Sequence, residues 1–238
     1  MMQSWHSKAL FATAGLAMSG LVHASFHLYH IVQIFSDATG NYQYVMLADT
    51  TAAPLGDGQQ FLHTLGVTLV AAQSPNSNVF PFPNDLPSSA TSNSKFLVAT
   101  QSFADLGVVT PDYIVPANFL FKPAGSVNYG SSTSLVNYSA LPTDGRHAID
   151  ALGNVVAATP TNFAGQTATC FSVTPITPAG PYDIDGNGAV DPLTDGLLLI
   201  RYLFGLRGDS LIAGAVAPCA TRNTADQIQT HIAGQIPP

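Results

Sequence analysis

Residues 183–195, with the sequence DIDGNGAVDPLTD, gather oxygen-bearing side chains around two glycines. Alternate carboxylate and amide oxygens can converge on a hard cation, and a glycine at the sixth position, Gly188, permits the sharp turn that this requires. The loop contains no His or Cys, so its donor set favours Ca²⁺ over zinc. The candidate ligands are the side chains of Asp183, Asp185, Asn187, Asp191 and Asp195 and the backbone carbonyl of Ala189.

The end of the loop departs from the usual spacing. With Asp183 at position 1, position 12 is Thr194, and the carboxylate expected there arrives one residue later as Asp195. We expect a loop that is longer by one residue, with Pro192 redirecting the chain so that Asp195 points inward. The alternatives are a weakened site and a solvated Asp-rich turn without a metal, although crowded like charges oppose their own ionisation.

The stretch DIDGNGAVDPLTDGLLLIRYLFG, residues 183–205, resembles one repeat of a type I dockerin. The resemblance implies a calcium loop followed by a helix, and, in a complete pair of repeats, binding to cohesin domains of bacterial polysaccharide-degrading complexes. A second repeat would fall on VAPCATRNTADQIQTHIAG, residues 216–234, which retains only the helix. The resemblance therefore implies a single calcium site, whereas cohesin binding in this family uses two repeats.

Two helical stretches must position this loop. Residues 192–208 and 221–234 both have helical patterns that end near a glycine. Apolar residues between Leu197 and Leu206 cover nearly all faces of the first helix, which predicts packing on more than one side. A partner-binding face is the competing interpretation. We assign residues 182–238 to a small dockerin-like helical domain.

The preceding region has a different pattern. Residues 25–169 contain short apolar or alternating runs separated by turn residues, which predicts a mainly β, immunoglobulin-like antiparallel β-sandwich. The predicted strands lie in FHLYHIVQIF, YQYVMLA, QFLHTLGVTLV, KFLVAT, NFLF, SVNY and SLVNY. The segments YQYVMLADTT and PFPNDLPSSATSNSKFLVAT resemble lamin-tail-like secreted sandwiches, which implies an adhesive or scaffolding role. A Pro-rich linker is predicted over residues 170–181.

The chain of 238 residues carries a net charge of −7, and all of its acidic residues are Asp. So few basic residues argue against nucleic-acid binding. Residues 1–24 have the pattern of a secretory signal peptide, with a buried N-terminal helix as the alternative, and no later segment predicts a membrane span. We expect a secreted, extracellular protein, with the cell surface as a further location. Export favours a disulfide between Cys170 and Cys219, and two independent buried thiols are the alternative.

Catalytic patterns are sparse. The absence of Glu excludes the helical zinc-protease motif, and no G-x-S-x-G elbow occurs. Asp144 and Asp150 could form an acid/base pair, but their segment also fits a turn. We expect a non-catalytic binding or scaffolding protein whose partners are calcium and an extracellular protein or polysaccharide. The alternatives are a carbohydrate-binding or cohesin-docking accessory of bacterial polysaccharide catabolism and a hydrolase that uses Asp alone. Candidate sugar-stacking residues are Tyr42, Tyr44, Tyr113, Tyr129 and Tyr138.

Overall fold

A computed structural model describes residues 28–130, 134–173 and 176–236. The predicted signal peptide lies outside these ranges. Among the described residues, no helix has the length and apolar character that a membrane crossing requires. The described part of the chain forms two β-sheets followed by a small helical unit, so the mainly β prediction is confirmed.

Within the described ranges, the β region contains ten strands and one short helix, α1, over Gln101–Ala104. The strands are β1 His30–Ser36, β2 Gln43–Ala48, β3 Thr68–Gln73, β4 Asn76–Pro81, β5 Lys95–Thr100, β6 Tyr113–Val115, β7 Gly125–Tyr129, β8 Ser134–Tyr138, β9 His147–Ile149 and β10 Val155–Ala157. One sheet has the order β10-β9-β1-β2-β5-β6 and the other β4-β3-β7-β8. Pairing is antiparallel except between β5 and β6, which run parallel.

The six-stranded sheet is covered on both faces. One face shares a core with the four-stranded sheet, in which Val45 and Phe96 join Leu69 and Tyr129. The other face packs against α1 and a later segment of the chain. All residues of β2 are therefore buried, which explains its continuous apolar run instead of an alternating pattern.

Two predicted strands differ from the structure. Residues 118–121, NFLF, form no strand because the Gln43 side chain takes both backbone groups of Leu120, accepting from its N–H at 2.9 Å and donating to its carbonyl at 3.1 Å. The QFLHTLGVTLV stretch becomes extended only at Thr68. Its first half is a turn in which the N–H groups of His63 and Thr64 bind Asp85.

The predicted linker begins inside the β region. Phe171 is only 5% exposed and packs against Phe35 with ring centroids 5.0 Å apart. The Val173 N–H donates to the Gly145 carbonyl at 2.9 Å. The chain therefore remains attached to the sheets through Val173, beyond the predicted boundary at residue 170.

The helical unit consists of a π-helical turn, Pro192–Gly196, and the helices α2 Leu197–Leu203, α3 Asp209–Ile212 and α4 Ala225–Gln235. Helix α4 begins with a capping box in which Thr224 and Gln227 satisfy each other's backbone N–H groups. The small core of the unit is formed by Ile184, Leu198, Leu211, Ala215, Ile228 and Ile232.

Helix α2 is packed on one side only. Leu198 is completely buried, whereas Ile200, Leu203 and Phe204 are 52%, 64% and 81% exposed. The prediction that this helix packs on more than one side is therefore wrong. With two turns of helix and one layer of neighbours, the unit has too few apolar residues to cover the opposite face.

Candidate metal centre

Three carboxylates of the 183–195 loop meet in the interior of the helical unit. One oxygen from each of Asp183, Asp185 and Asp195 lies within 4.8 Å of the others. Asp183 and Asp185 are completely buried, and Asp195 is 2% exposed. The spacing in the sequence therefore brings together the predicted ligands at loop positions 1, 3 and 13.

Hydrogen bonds within the loop fix the first two carboxylates. Asp183 Oδ2 accepts from the Gly188 N–H at 2.9 Å, and Asp185 Oδ1 accepts from the Asn187 N–H at 3.1 Å. The chain turns at Gly188, where φ is +86°, a conformation that costs other residues free energy. Backbone donors therefore orient these two predicted ligands, as a preformed cation site would require.

The π-helical turn explains how the loop accommodates its extra residue. Its defining bond runs from the Gly196 N–H to the Asp191 carbonyl at 3.2 Å. A π turn holds one more residue than an α turn, so the side chain after Thr194 is rotated inward. Asp195 then accepts from the N–H groups of Asp185 at 3.1 Å and Asp191 at 2.8 Å. This geometry favours the longer loop.

The charge of the cluster is incompletely balanced by protein groups. Asp183 Oδ1 is buried and, in the part of the chain that the structure describes, has no hydrogen-bond partner. No described Lys, Arg or His forms an ion pair with the three carboxylates. Burial raises the pKa of Asp185, two backbone N–H groups oppose that shift, and Asp195 and Asp183 raise it further. A buried carboxylate oxygen without a partner costs free energy that a divalent cation would recover.

The other predicted ligands lie farther out. Asp191 is exposed, and its Oδ1 caps the π turn by accepting from the Leu193 N–H at 2.7 Å. Ala189 is exposed and Asn187 half-buried, with Asn187 Oδ1 accepting from the Ala189 N–H at 2.8 Å. Asp191 therefore does not belong to the carboxylate cluster. It is the ninth residue counted from Asp183, and the ninth position of a calcium loop often binds its ion through water. Thr194 Oγ1 is buried without a partner in the described chain and lines a neighbouring cavity.

A distant segment, residues 217–222, braces the loop. The Ala217 N–H donates to Asp185 Oδ2 at 2.8 Å, and the Thr221 hydroxyl donates to the Gly186 carbonyl at 2.9 Å. Arg222 donates its N–H to the Asp185 carbonyl and its Nε to the Ile184 carbonyl, at 2.8 and 2.7 Å. The sequence contains no local signal for these contacts, because they depend on how the chain folds back.

The loop also contacts the β region. Arg146, just before β9, donates from its guanidinium to the Asn187 carbonyl. Between the two units lies a cavity of about 360 Å³, whose lining includes Arg146, Thr194 and Cys219. The predicted metal loop is thus attached to the sheets as well as to its own helices.

The structure contains no disulfide between Cys170 and Cys219, and both residues are free thiols. The two side chains are neighbours all the same. Burial, and then the adjacent Cys170 thiol, raises the pKa of Cys219 to about 11. The alternative of two unrelated buried thiols does not fit either, since Cys170 is exposed and close to Cys219.

The other candidate residues have structural contacts. Asp144 binds His147 Nδ1 at 2.5 Å, and Asp150 accepts from the N–H groups of Leu152 and Asn154 in a turn. Of the tyrosines considered for sugar stacking, Tyr42 is half-buried and the remainder are core residues. The buried ones are Tyr44, Tyr113, Tyr129 and Tyr138.

Comparison with protein-family models, with curated proteins and with solved structures finds no match for this chain. The resemblances to a dockerin repeat and to lamin-tail-like sandwiches therefore stay predictions from the sequence.

Proposed function

We propose that this chain is a secreted, non-catalytic calcium-binding protein. Its immunoglobulin-like β-sandwich would act in binding or scaffolding outside the cell, and one Ca²⁺ would stabilise its dockerin-like C-terminal unit. The observation that carries the proposal is the buried, unpartnered Oδ1 of Asp183 beside the carboxylates of Asp185 and Asp195. The signal-peptide pattern of residues 1–24 supports export.

Calcium suits this cluster for chemical reasons. Its donors are carboxylate oxygens, and Ca²⁺ prefers such hard ligands in flexible sites that backbone carbonyls and water can complete. Backbone N–H groups already orient each of the three carboxylates. A bound ion would remove the mutual repulsion of the carboxylates, so metal binding and folding of the unit would be coupled.

The direct test is calorimetric titration of Ca²⁺ into the chelator-treated protein, together with Asp183→Ala and Asp195→Ala. We expect one ion to bind the unaltered chain and both substitutions to weaken binding. Asp226→Ala is a matched control, because Asp226 is an exposed carboxylate on α4. If the unaltered chain shows no heat of binding and calcium leaves its thermal midpoint unchanged, the proposed calcium site is wrong.

A second candidate function is docking onto a cohesin-like protein in a polysaccharide-degrading system. The exposed apolar side chains of Ile200 and Leu203 on α2, and of Phe204 directly after it, favour this function, because neighbouring exposed apolar side chains are typical of interaction sites. The buried tyrosines leave little support for sugar stacking. Pull-down with an immobilised cohesin and with insoluble polysaccharides would separate these partners, with Phe204→Ser as the surface variant.

A further inference from the structure

Residues 217–222, which brace the metal loop, carry a cysteine at their centre. Ala217 and Arg222 lie on either side of Cys219. The Ala217 N–H donates to the Asp185 carboxylate, and the Arg222 N–H donates to the Asp185 carbonyl. Cys219 itself has a φ of +70°, a region that non-glycine residues rarely occupy. Whatever holds Cys219 in place therefore also holds the donors that orient Asp185.

Cys170 lies at the edge of the β region, where the chain is firmly attached. The Cys219 thiol donates to the carbonyl of Thr169, the residue before Cys170, at 3.7 Å. The residue after Cys170 is Phe171, whose buried ring packs against Phe35 and Tyr44. A covalent link between the two cysteines would therefore join the brace of the metal loop to the core of the sheets.

We propose that Cys170 and Cys219 form a thiol–disulfide pair that sets the calcium affinity of the Asp183–Asp195 site, an inference that rests on the proposed calcium function. In the disulfide form, residues 217–222 would be held in their bracing position before calcium arrives. Less ordering would then accompany binding, so calcium would bind more tightly. Because linkage is reciprocal, calcium would make the disulfide harder to reduce by the same factor.

The chemistry requires a low-molecular-weight disulfide as oxidant. The exposed Cys170 thiol releases a proton, and its thiolate attacks one sulfur of that disulfide, forming a mixed disulfide and releasing one small thiolate. Cys219 then releases its proton and attacks the Cys170 sulfur, which forms the protein disulfide and expels the second thiolate. The two small thiolates take up the two protons. The protein dithiol loses two electrons, and the small disulfide gains them.

The experiment compares the full chain after oxidation with glutathione disulfide and after reduction with a phosphine. Mass spectrometry of alkylated samples counts free thiols, and calorimetry measures the calcium dissociation constant of each form. We expect the oxidised form to bind calcium about fivefold more tightly or better, which is the lower range of typical coupling between two sites. Cys170→Ser should show the same affinity under both conditions. In glutathione redox buffers, saturating calcium should favour the disulfide by the same factor.

Three results would overturn the proposal, and they differ in what they say about calcium. Equal calcium affinities in both redox forms would remove the linkage and leave the calcium site standing. Free thiols that persist after oxidation of the folded chain would show that the two cysteines cannot pair. Absence of calcium binding in both forms would refute the proposed function and this inference together. The comparison of redox forms uses the unaltered chain, so it does not depend on a variant that folds.

Discussion

Replacing Asp195 by Asn tests whether the residue displaced by the π turn closes the metal site. The substitution keeps the shape of the side chain and removes one of the three buried charges. It also turns an acceptor oxygen into an NH₂ group, which would face one of two backbone donors, the N–H of Asp185 or that of Asp191. Loss of that hydrogen bond costs about 1–3 kcal/mol, and the relief of repulsion partly offsets it. The calcium-free protein should therefore lose less stability than the broken hydrogen bond alone would cost.

The calcium-bound protein should lose more. If calcium is supplied at about 100 times the dissociation constant, binding adds about 2.7 kcal/mol to the free energy of unfolding. If removal of a carboxylate ligand weakens the calcium affinity about 100-fold, the same calcium concentration is about equal to the new dissociation constant. The added stability then falls to about 0.4 kcal/mol. The free energy of unfolding that calcium adds, here called the calcium increment, should therefore nearly disappear in Asp195→Asn.

Urea unfolding followed by circular dichroism at 222 nm measures this increment, because most described helical residues belong to the C-terminal unit. The control Asp226→Asn removes an exposed charge from α4 and should keep the full increment. Thr194→Val tests the residue at the conventional twelfth position. If Thr194→Val abolishes the calcium increment and Asp195→Asn keeps it, the role assigned to the π turn is wrong.

Three further changes probe how the site is held. Gly188→Ala should lower the free energy of unfolding by about 1–2 kcal/mol or more. A Cβ there would collide with the Arg146 guanidinium, whereas Gly214→Ala, also at positive φ but with no atom within 4 Å, isolates the backbone cost. Phe171→Ala should cost about 3–5 kcal/mol in urea unfolding if its segment belongs to the β core. Burial raises the pKa of Asp185 above its value of about 3.9 in the unfolded chain. Protonation of this carboxylate therefore stabilises the calcium-free fold. The contribution is complete below the unfolded pKa and is lost as pH rises through the higher folded pKa. Unfolding measured at several pH values should show this loss, and Asp185→Asn should remove it.

The sequence is informative where structure depends on local spacing. The alternating carboxylates at 183 and 185 and the glycine at 188 are features of one short loop, so their meeting could be predicted. Similarly, the apolar runs of β2 and β5 predict strands directly. The brace from residues 217–222 could not be predicted. Two of its donors are backbone N–H groups that any residue type provides, and its side-chain donors, on Thr221 and Arg222, reach the loop only because the chain folds back.

The failed predictions have two causes. Distant polar groups compete for the backbone in one case, and packing partners are missing in the other. Residues 118–121 are apolar enough for a strand, but Gln43 occupies the backbone groups that a ladder would use. Helix α2 is apolar enough for a core on several sides, yet the short chain around it supplies a single layer. Composition alone cannot say whether a partner for an apolar face lies within the chain or outside it.

The extra residue in the predicted metal loop explains why the spacing alone did not decide between Thr194 and Asp195 as the last predicted ligand. If the loop led directly into an α-helix, insertion of one residue would rotate Asp195 by about 100° away from the other two carboxylates. A π turn absorbs the inserted residue within a single wider turn, so the following helix keeps its direction and the carboxylate returns to the cluster. Asp191 makes this possible by capping the turn with its side chain and accepting the Gly196 N–H with its carbonyl. Asp191 therefore helps to position Asp195. Replacement of Asp191 should disturb the predicted site even though its own carboxylate lies outside the cluster.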